Sequence, residues 1–358
     1  MLKLTLPLLA AALCFVLVAC GGSGGGGNGS SATAGSTATT STTAGTSYAT
    51  TPMRTDCFIM GYSSNGHFAG QMSDASGRKG VYGASLSASL QTLQSPAGET
   101  DVAAYMVSSL GAILGRTHFS GGASNVLLYW SSATAVPKAL ALPSGVTAMF
   151  PLGINKQNQI LARNDAGAGV GDIYFYSSPD AAPVKFWTAS SEKTYGYLID
   201  SGTIVIRDFD AQTVNVYTSP TANPVRLKLL SGAFASEVRS VGPTGIILDS
   251  LTLCYWSPDD YSTPRSLKLP SGATSGFALS SNSSGQISGQ FGAGVSDLHA
   301  CIWPNGDSKP IDLVGAGGSV VQTLNHITIV FDDGTLLASH ETQSSATGDL
   351  YFLVPKPK

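Results

Sequence analysis

Three features of the 358-residue sequence predict an all-β chain, a seven-bladed β-propeller closed by its N-terminal strand: one pattern that returns seven times, apolar strands separated by small-residue turns, and a scarcity of charge. The pattern is a small or polar turn, usually with Gly, followed by an apolar strand. Its copies begin at Gly66, Gly111, Asn158, Gly202, Gly245, Gly285 and Gly334, at intervals of about 45, 47, 44, 43, 40 and 49 residues. Gly and Asn suit the left-handed turn that starts such a strand. An aromatic strand follows each copy, as in Leu128-Tyr129-Trp130, Tyr174-Phe175-Tyr176 and Cys301-Ile302-Trp303. A third, alternating strand follows a proline, as in Pro137 to Leu142 and Pro264 to Leu269. Three or four short strands at a period of about 43 residues signal propeller blades. Helical repeats would need amphipathic stretches of ten or more residues, and Gly, Pro and β-branched residues interrupt every candidate.

The last copy ends soon after Phe352 and lacks its proline-led strand. Counting back from Gly66 by the repeat offset places the missing strand near residues 47–51. The N-terminal segment is therefore expected to complete the seventh blade. Such a clasp would join the chain ends and leave no unpaired inner edge.

Charge bounds the partners. The chain holds 19 Lys+Arg and 22 Asp+Glu, so 11% is charged and the net charge is -3; a soluble protein averages roughly 25% charged residues. Without a basic excess to neutralise phosphates, the composition argues against a nucleic-acid partner. Low charge with abundant Gly, Ser and Thr is the profile of a secreted, mostly β protein.

Residues 1–19 carry one cation, Lys3, and then an apolar run too short for a stable spanning helix, as in a secretory signal. The run ends Leu17-Val18-Ala19-Cys20-Gly21-Gly22, which resembles the lipobox of bacterial lipoproteins. The resemblance implies that Cys20 is diacylated and becomes the mature N-terminus. Each buried acyl CH₂ contributes about 0.8 kcal/mol, so two or three chains anchor stably. Gly21 rather than Asp after the cysteine implies, by the same resemblance, the outer membrane of the cell envelope. Within the remainder of 20–46 no residue is charged, aromatic or large and apolar. This stretch reads as a flexible tether with an r.m.s. span of roughly 28 Å. The folded domain is expected over 47–358.

The segment Ser284 to Gly289 followed by His299-Ala300-Cys301-Ile302-Trp303, and the ending Leu350 to Pro355, resemble the bacterial extracellular repeats named for a His-Ala-Phe triplet. Cys301 stands where that triplet has Phe. The resemblance implies a propeller-like fold and an extracytoplasmic life, and no reaction.

The chemistry-bearing residues are sparse. The four Glu are Glu99, Glu192, Glu237 and Glu341, and Asp259-Asp260 and Asp332-Asp333 read as turn residues. Neighbouring residues of a strand face opposite ways, so adjacency alone does not make two acids a dyad. His67, His118, His299, His326 and His340 form no zinc-type spacing. There is no nucleophile elbow, phosphate loop or dinucleotide fingerprint. No catalytic residue, metal ligand or cofactor is nominated. Cys254 and Cys301 occupy one repeat position in neighbouring blades, too far apart for a disulfide, and are expected to be buried. Trp130, Trp256 and Trp303 share another position and read as inter-blade core rather than sugar platforms.

One constellation stands out. The residue five after each repeat start is Gln71, Arg116, Arg163, Arg207, Ser250, Gln290 and Ser339. A propeller turns sequence equivalence into a ring. Gln71, Arg116, Arg163, Arg207 and Gln290 would then form a donor-rich arc on one rim, suited to carboxylates or sugar hydroxyls; alternatively each satisfies local carbonyls. Three functions remain: a lipid-anchored propeller that binds a protein or glycan without catalysis, a polysaccharide-acting glycosidase or lyase with its site at the channel mouth, and an envelope assembly scaffold.

Overall fold

The computed structural model describes residues 48–52, 57–117, 125–167, 169–190, 193–232, 235, 238, 240–249, 253–294, 298–313, 326–340 and 349–356. Cys20 and the expected leader and tether lie outside them, as do His118, Glu192, Glu237, Ser250 and Glu341. Seven four-stranded antiparallel sheets stand around a common axis. In blade one the inner strand is Phe58–Tyr62, followed outwards by Phe68–Asp74, Gly77–Gly83 and the outer Gln91–Thr92. Blades two to six repeat this order over residues 102–139, 146–187, 194–226, 240–266 and 275–312.

Seven copies of one hairpin turn set the repeat. In each, the N–H of the first turn residue donates to the carbonyl four residues on, at 2.8–3.2 Å; the partners run from Ser63 and His67 in blade one to Phe331 and Thr335 in blade seven. The N–H of the fourth residue donates back to the first at 2.9–3.1 Å. That fourth residue is Gly66, Gly111, Asn158, Gly202, Gly245, Gly285 or Gly334, with φ between 58° and 94°. A side chain is strained there, so six of the seven are Gly and the seventh is Asn.

Blade seven combines both ends of the chain. Its strands His326–Val330, Leu336–His340 and Asp349–Pro355 are joined by Tyr48–Pro52, which pairs antiparallel with the last of them from Tyr48↔Pro355 to Pro52↔Tyr351. The expected clasp is present. The edge it covers is the outward one, because the chain's own C-terminal strands already supply the inner three. Tyr48 is buried with Ile302, Leu313, Leu336 and Leu353 between blades six and seven.

Each seam between neighbouring blades holds one apolar cluster, seven in all. A recurring latch crosses four of them. After the outer strand a leucine turns inward, as Leu140 does when its N–H donates to the Leu127 carbonyl at 2.9 Å. The carbonyl of the following residue then accepts an aromatic donor from the next blade. The indole N–H groups of Trp130, Trp256 and Trp303 reach Gln94, Lys228 and Lys268 at 2.9, 3.1 and 2.8 Å, and the Tyr176 hydroxyl reaches Ala141 at 2.8 Å. The alternating proline-led strands are therefore shorter than their pattern suggests; blade two pairs only Lys138–Ala139. The three tryptophans are fully buried core residues. Cys254 and Cys301 are buried free thiols, and burial pushes the Cys301 thiol up. In blade one the equivalent of tryptophan is Gly83, and a Cβ there would stand 2.2 Å from the Phe68 ring that fills the space.

Candidate functional site

The predicted arc lies at the end of the second strand away from the shared turn. Its members pair across the ladder with inner-strand residues: Gln71 with Phe58, Arg116 with Ala103, Arg163 with Phe150, Arg207 with Tyr195 and Gln290 with Phe277. Directly paired residues project to the same side of a sheet, so four of the five lie beside an aromatic ring. A bulge in blade two, between Ala104 and Met106, brings Tyr105 to Arg116 instead.

Three blades turn this pairing into a stack. The Arg116 guanidinium sits 5.4 Å from the Tyr105 ring centroid and 4.9 Å from that of Phe150. Arg163 sits 5.6 Å from Phe150 and 5.4 Å from Tyr195. Arg207 lies 3.5 Å from Phe209, whose ring meets Tyr195 edge-on at 5.9 Å. Guanidinium faces on aromatic rings are attractive and become more so as water leaves. Sequence order around the axis is thus ring, cation, ring, cation, ring.

One carboxylate serves two of the cations. Asp165 Oδ2 accepts from Arg116 Nη1 at 2.9 Å, and its Oδ1 accepts from Arg163 Nη2 at 3.2 Å. The side chains are 14%, 16% and 30% exposed for Arg116, Arg163 and Asp165, so the pairs are largely desolvated but reachable from the rim. Asp165 follows Arg163 by two in the strand Ile160–Gly167, which puts both on one face. Arg163 also donates to the Thr194 carbonyl at 3.3 Å, and the buried Arg207 to the Val238 carbonyl at 3.4 Å. Gln290 is buried, and Gln71 is half-buried. The structure therefore brings Arg116 and Arg163 into one shared network, sets Arg207 beside it, and leaves Gln71 and Gln290 in other blades.

Two buried acids fix the loops at this end. Asp172 accepts from Lys185 Nζ at 2.5 Å and from the Ala189 N–H at 2.9 Å, and this contact raises the Lys185 ammonium above its ordinary value. Burial works to raise the Asp208 carboxyl. Hydrogen bonds from the Ser190 hydroxyl at 2.5 Å and from the Ala211 and Ser190 N–H groups outweigh it and hold the carboxyl below the usual range.

At the opposite end, side chains join blades that are not neighbours. The second residue of the shared turn is Ser64, Ser109, Lys156, Asp200, Pro243, Ser283 or Asp332. The Ser109 hydroxyl of blade two donates to Asp200 of blade four at 2.5 Å, and the hydroxyls of Ser64 and Ser283, in blades one and six, meet at 3.2 Å. Ser283 also donates its N–H and hydroxyl to Asp332 at 2.7 and 3.0 Å. Contacts that skip a blade narrow this mouth of the channel. Asp333 accepts from the Thr335 N–H at 2.8 Å, and Asp260 from the Ser262 N–H at 2.8 Å, both as turn residues.

Two histidines lie elsewhere. His67 meets the Tyr82 hydroxyl at 3.4 Å, and burial lowers its imidazole; His299 meets Asp312 at 3.1 Å on the outer part of blade six. Among the described residues no three His, Cys, Asp or Glu side chains gather to hold a metal ion, and no helix is long and apolar enough to cross a membrane.

Asp165 and the rings of Tyr105, Phe150 and Tyr195 were not among the residues the sequence nominated. The Arg163-x-Asp165 spacing was the available signal.

No family model and no curated protein matches the sequence. Solved structures do match the fold. YCF48 bound to D1 peptide is similar over 88% of this chain and 97% of that one, with a TM-score of 0.54 and 12% identity. YCF48 from Cyanidioschyzon merolae covers 86% and 98% at 0.53 and 9%, and U3-55K covers 86% and 98% at 0.52 and 9%. The chain shares the β-propeller fold with these proteins, and at such identity the likeness speaks of fold alone.

Proposed function

We propose that this chain is a non-catalytic binding propeller of the bacterial cell envelope, tethered to the outer membrane through a lipidated Cys20, and that it takes a protein or glycan partner at the rim carrying Arg116 and Arg163. The observation that carries this reading is the ring–cation stack of Tyr105, Arg116, Phe150, Arg163 and Tyr195. Two cations share one carboxylate, so the group keeps a formal surplus of one positive charge beside aromatic faces. That chemistry suits an acidic peptide or an acidic sugar, whose carboxylate meets a guanidinium and whose apolar face meets a ring. The crossed turns at the other end of the channel favour approach from this rim.

The test uses the full chain on peptide and glycan arrays beside the Arg116→Gln/Asp165→Asn/Arg163→Gln variant, which removes both cations and their counter-ion together. Loss of the wild-type ligands with an unchanged melting curve supports the reading; an unaltered binding profile refutes it. The anchor is tested separately by incorporation of labelled palmitate, which the Cys20→Ala variant should abolish.

A further inference from the structure

The seam between blades seven and one differs in one respect from the seams that follow blades two and five. In blade two the third-strand Tyr129 pairs with the outer-strand Lys138, whose ammonium meets Asp180 in the loop of the next blade. Blade five sets Arg265 beside Tyr255 as well, but there the Tyr255 hydroxyl donates to Asp307 of the next blade at 3.1 Å, and the Arg265 guanidinium pairs with Asp259 of its own blade at 2.8 Å. Each of these seams holds an aromatic residue, a cation beside it and a carboxylate from the following blade.

At the closing seam the same positions are Phe352, Thr51 and Ser87. The loop equivalence is set by a shared turn, in which the N–H of Ala88, Ala181 or Ser308 donates three residues back. The ring is kept, and the cation and its acid are gone. A cavity of about 260 Å³ opens there, with Phe331 and Phe352 as its floor, Leu86 and Val354 as walls, and Ser87 and Asp333 on its rim. Asp333 is exposed and uses one oxygen on the Thr335 N–H; no cation pairs with it among the described residues. Drug-sized ligands occupy roughly 300–1,000 Å³, so this volume suits one side chain. A long alkyl stem would lie on the apolar walls, with its cationic head at the ring and the carboxylate.

We propose that this pocket receives a lysine or arginine side chain of a partner polypeptide, supplying at the closing seam the cation that the chain itself supplies in blades two and five. The site is at the opposite end of the blades from Arg116 and Arg163 and stands or falls independently of the rim.

The test is saturation-transfer NMR on the full chain with three capped tripeptides, acetyl-Ala-Lys-Ala-amide, acetyl-Ala-Arg-Ala-amide and acetyl-Ala-Glu-Ala-amide, at millimolar concentration. The lysine and arginine peptides should show transfer and the glutamate peptide should not. Asp333→Asn keeps the turn acceptor and should weaken transfer roughly three- to fivefold, the scale of one exposed ion pair. Leu86→Trp should fill the cavity and abolish it. Absence of transfer, equal transfer to the glutamate peptide, or undiminished transfer in Asp333→Asn overturns the proposal, whether or not Leu86→Trp folds.

Discussion

Replacing Asp165 by Asn leaves the shape of the rim and removes the charge that Arg116 and Arg163 share. Charge-assisted hydrogen bonds contribute about 1.5–3 kcal/mol each, and roughly twice what neutral ones do. Two such bonds would weaken, and two guanidiniums about one-seventh exposed would face each other uncompensated. The expected loss is about 2–4 kcal/mol. Breaking a desolvated ion pair by removing one partner is costly, whereas replacing the whole set is often near neutral. The variant with Arg116→Gln, Asp165→Asn and Arg163→Gln should therefore be more stable than Asp165→Asn alone, although it carries two further changes. Urea midpoints at pH 7 with an unchanged slope measure both differences. A cost below about 1 kcal/mol for Asp165→Asn, or a triple variant less stable than the single one, would show that the carboxylate does not hold the two cations together.

The clasp and one buried acid give further expectations. Deleting residues 47–56 removes five paired residues and the buried Tyr48. The tyrosine alone is worth about 3 kcal/mol, and at roughly 2–4 °C per kcal/mol the melting temperature should fall by about 10 °C or more; an unchanged melting curve sinks the closure argument. Asp208 has its carboxyl held low in the folded chain, so its stabilisation is present above the unfolded value of about 3.9 and is lost as pH falls through the folded value. Asp208→Asn should cost stability at pH 7 and flatten the decline below pH 4. Urea midpoints across that range that keep the wild-type slope would refute the assignment.

The parts of the fold that were legible in the sequence are those where the backbone dictates the residue. A left-handed fourth turn position demands Gly or Asn, so seven such positions at one period announced seven blades. The missing outer strand announced the clasp. The arc was legible as a set of equivalent positions, because the second strand of each blade is counted from the same turn each time. Its neighbours were not. Inner strands carry register shifts, between Ala104 and Met106 in blade two and between Pro151 and Gly153 in blade three, and one extra residue flips every side chain beyond it. No residue type marks such a bulge, so the rings that would meet Arg116 and Arg163 were hidden. The outer strands were over-read for a related reason. Leu140 and Leu142 look like one face of a strand, but Leu140 turns inward, and the carbonyl of Ala141 next to it is taken by the following blade.

The two ends of the blades differ in what constrains them. At the shared turn, one hydrogen-bond pattern and one φ region recur in every blade, while the residue types vary; the second is Ser, Lys, Asp or Pro. That variation is absorbed by contacts across the axis, from Ser109 to Asp200 and from Ser64 to Ser283. At the far end of the same hairpins no backbone rule fixes the residue, and the seven positions diverge into three Arg, two Gln and two Ser. A cation gains nothing from a strand end as such. It must desolvate to reach the rings, and that is favourable where an acceptor stands within hydrogen-bond distance, a carboxylate such as Asp165 or a backbone carbonyl such as that of Val238 for Arg207. Blades two and three meet that condition together. The concentration of charge in one sector of an otherwise sparsely charged ring therefore follows from local pairing, and it makes that sector the chemically distinct part of the rim.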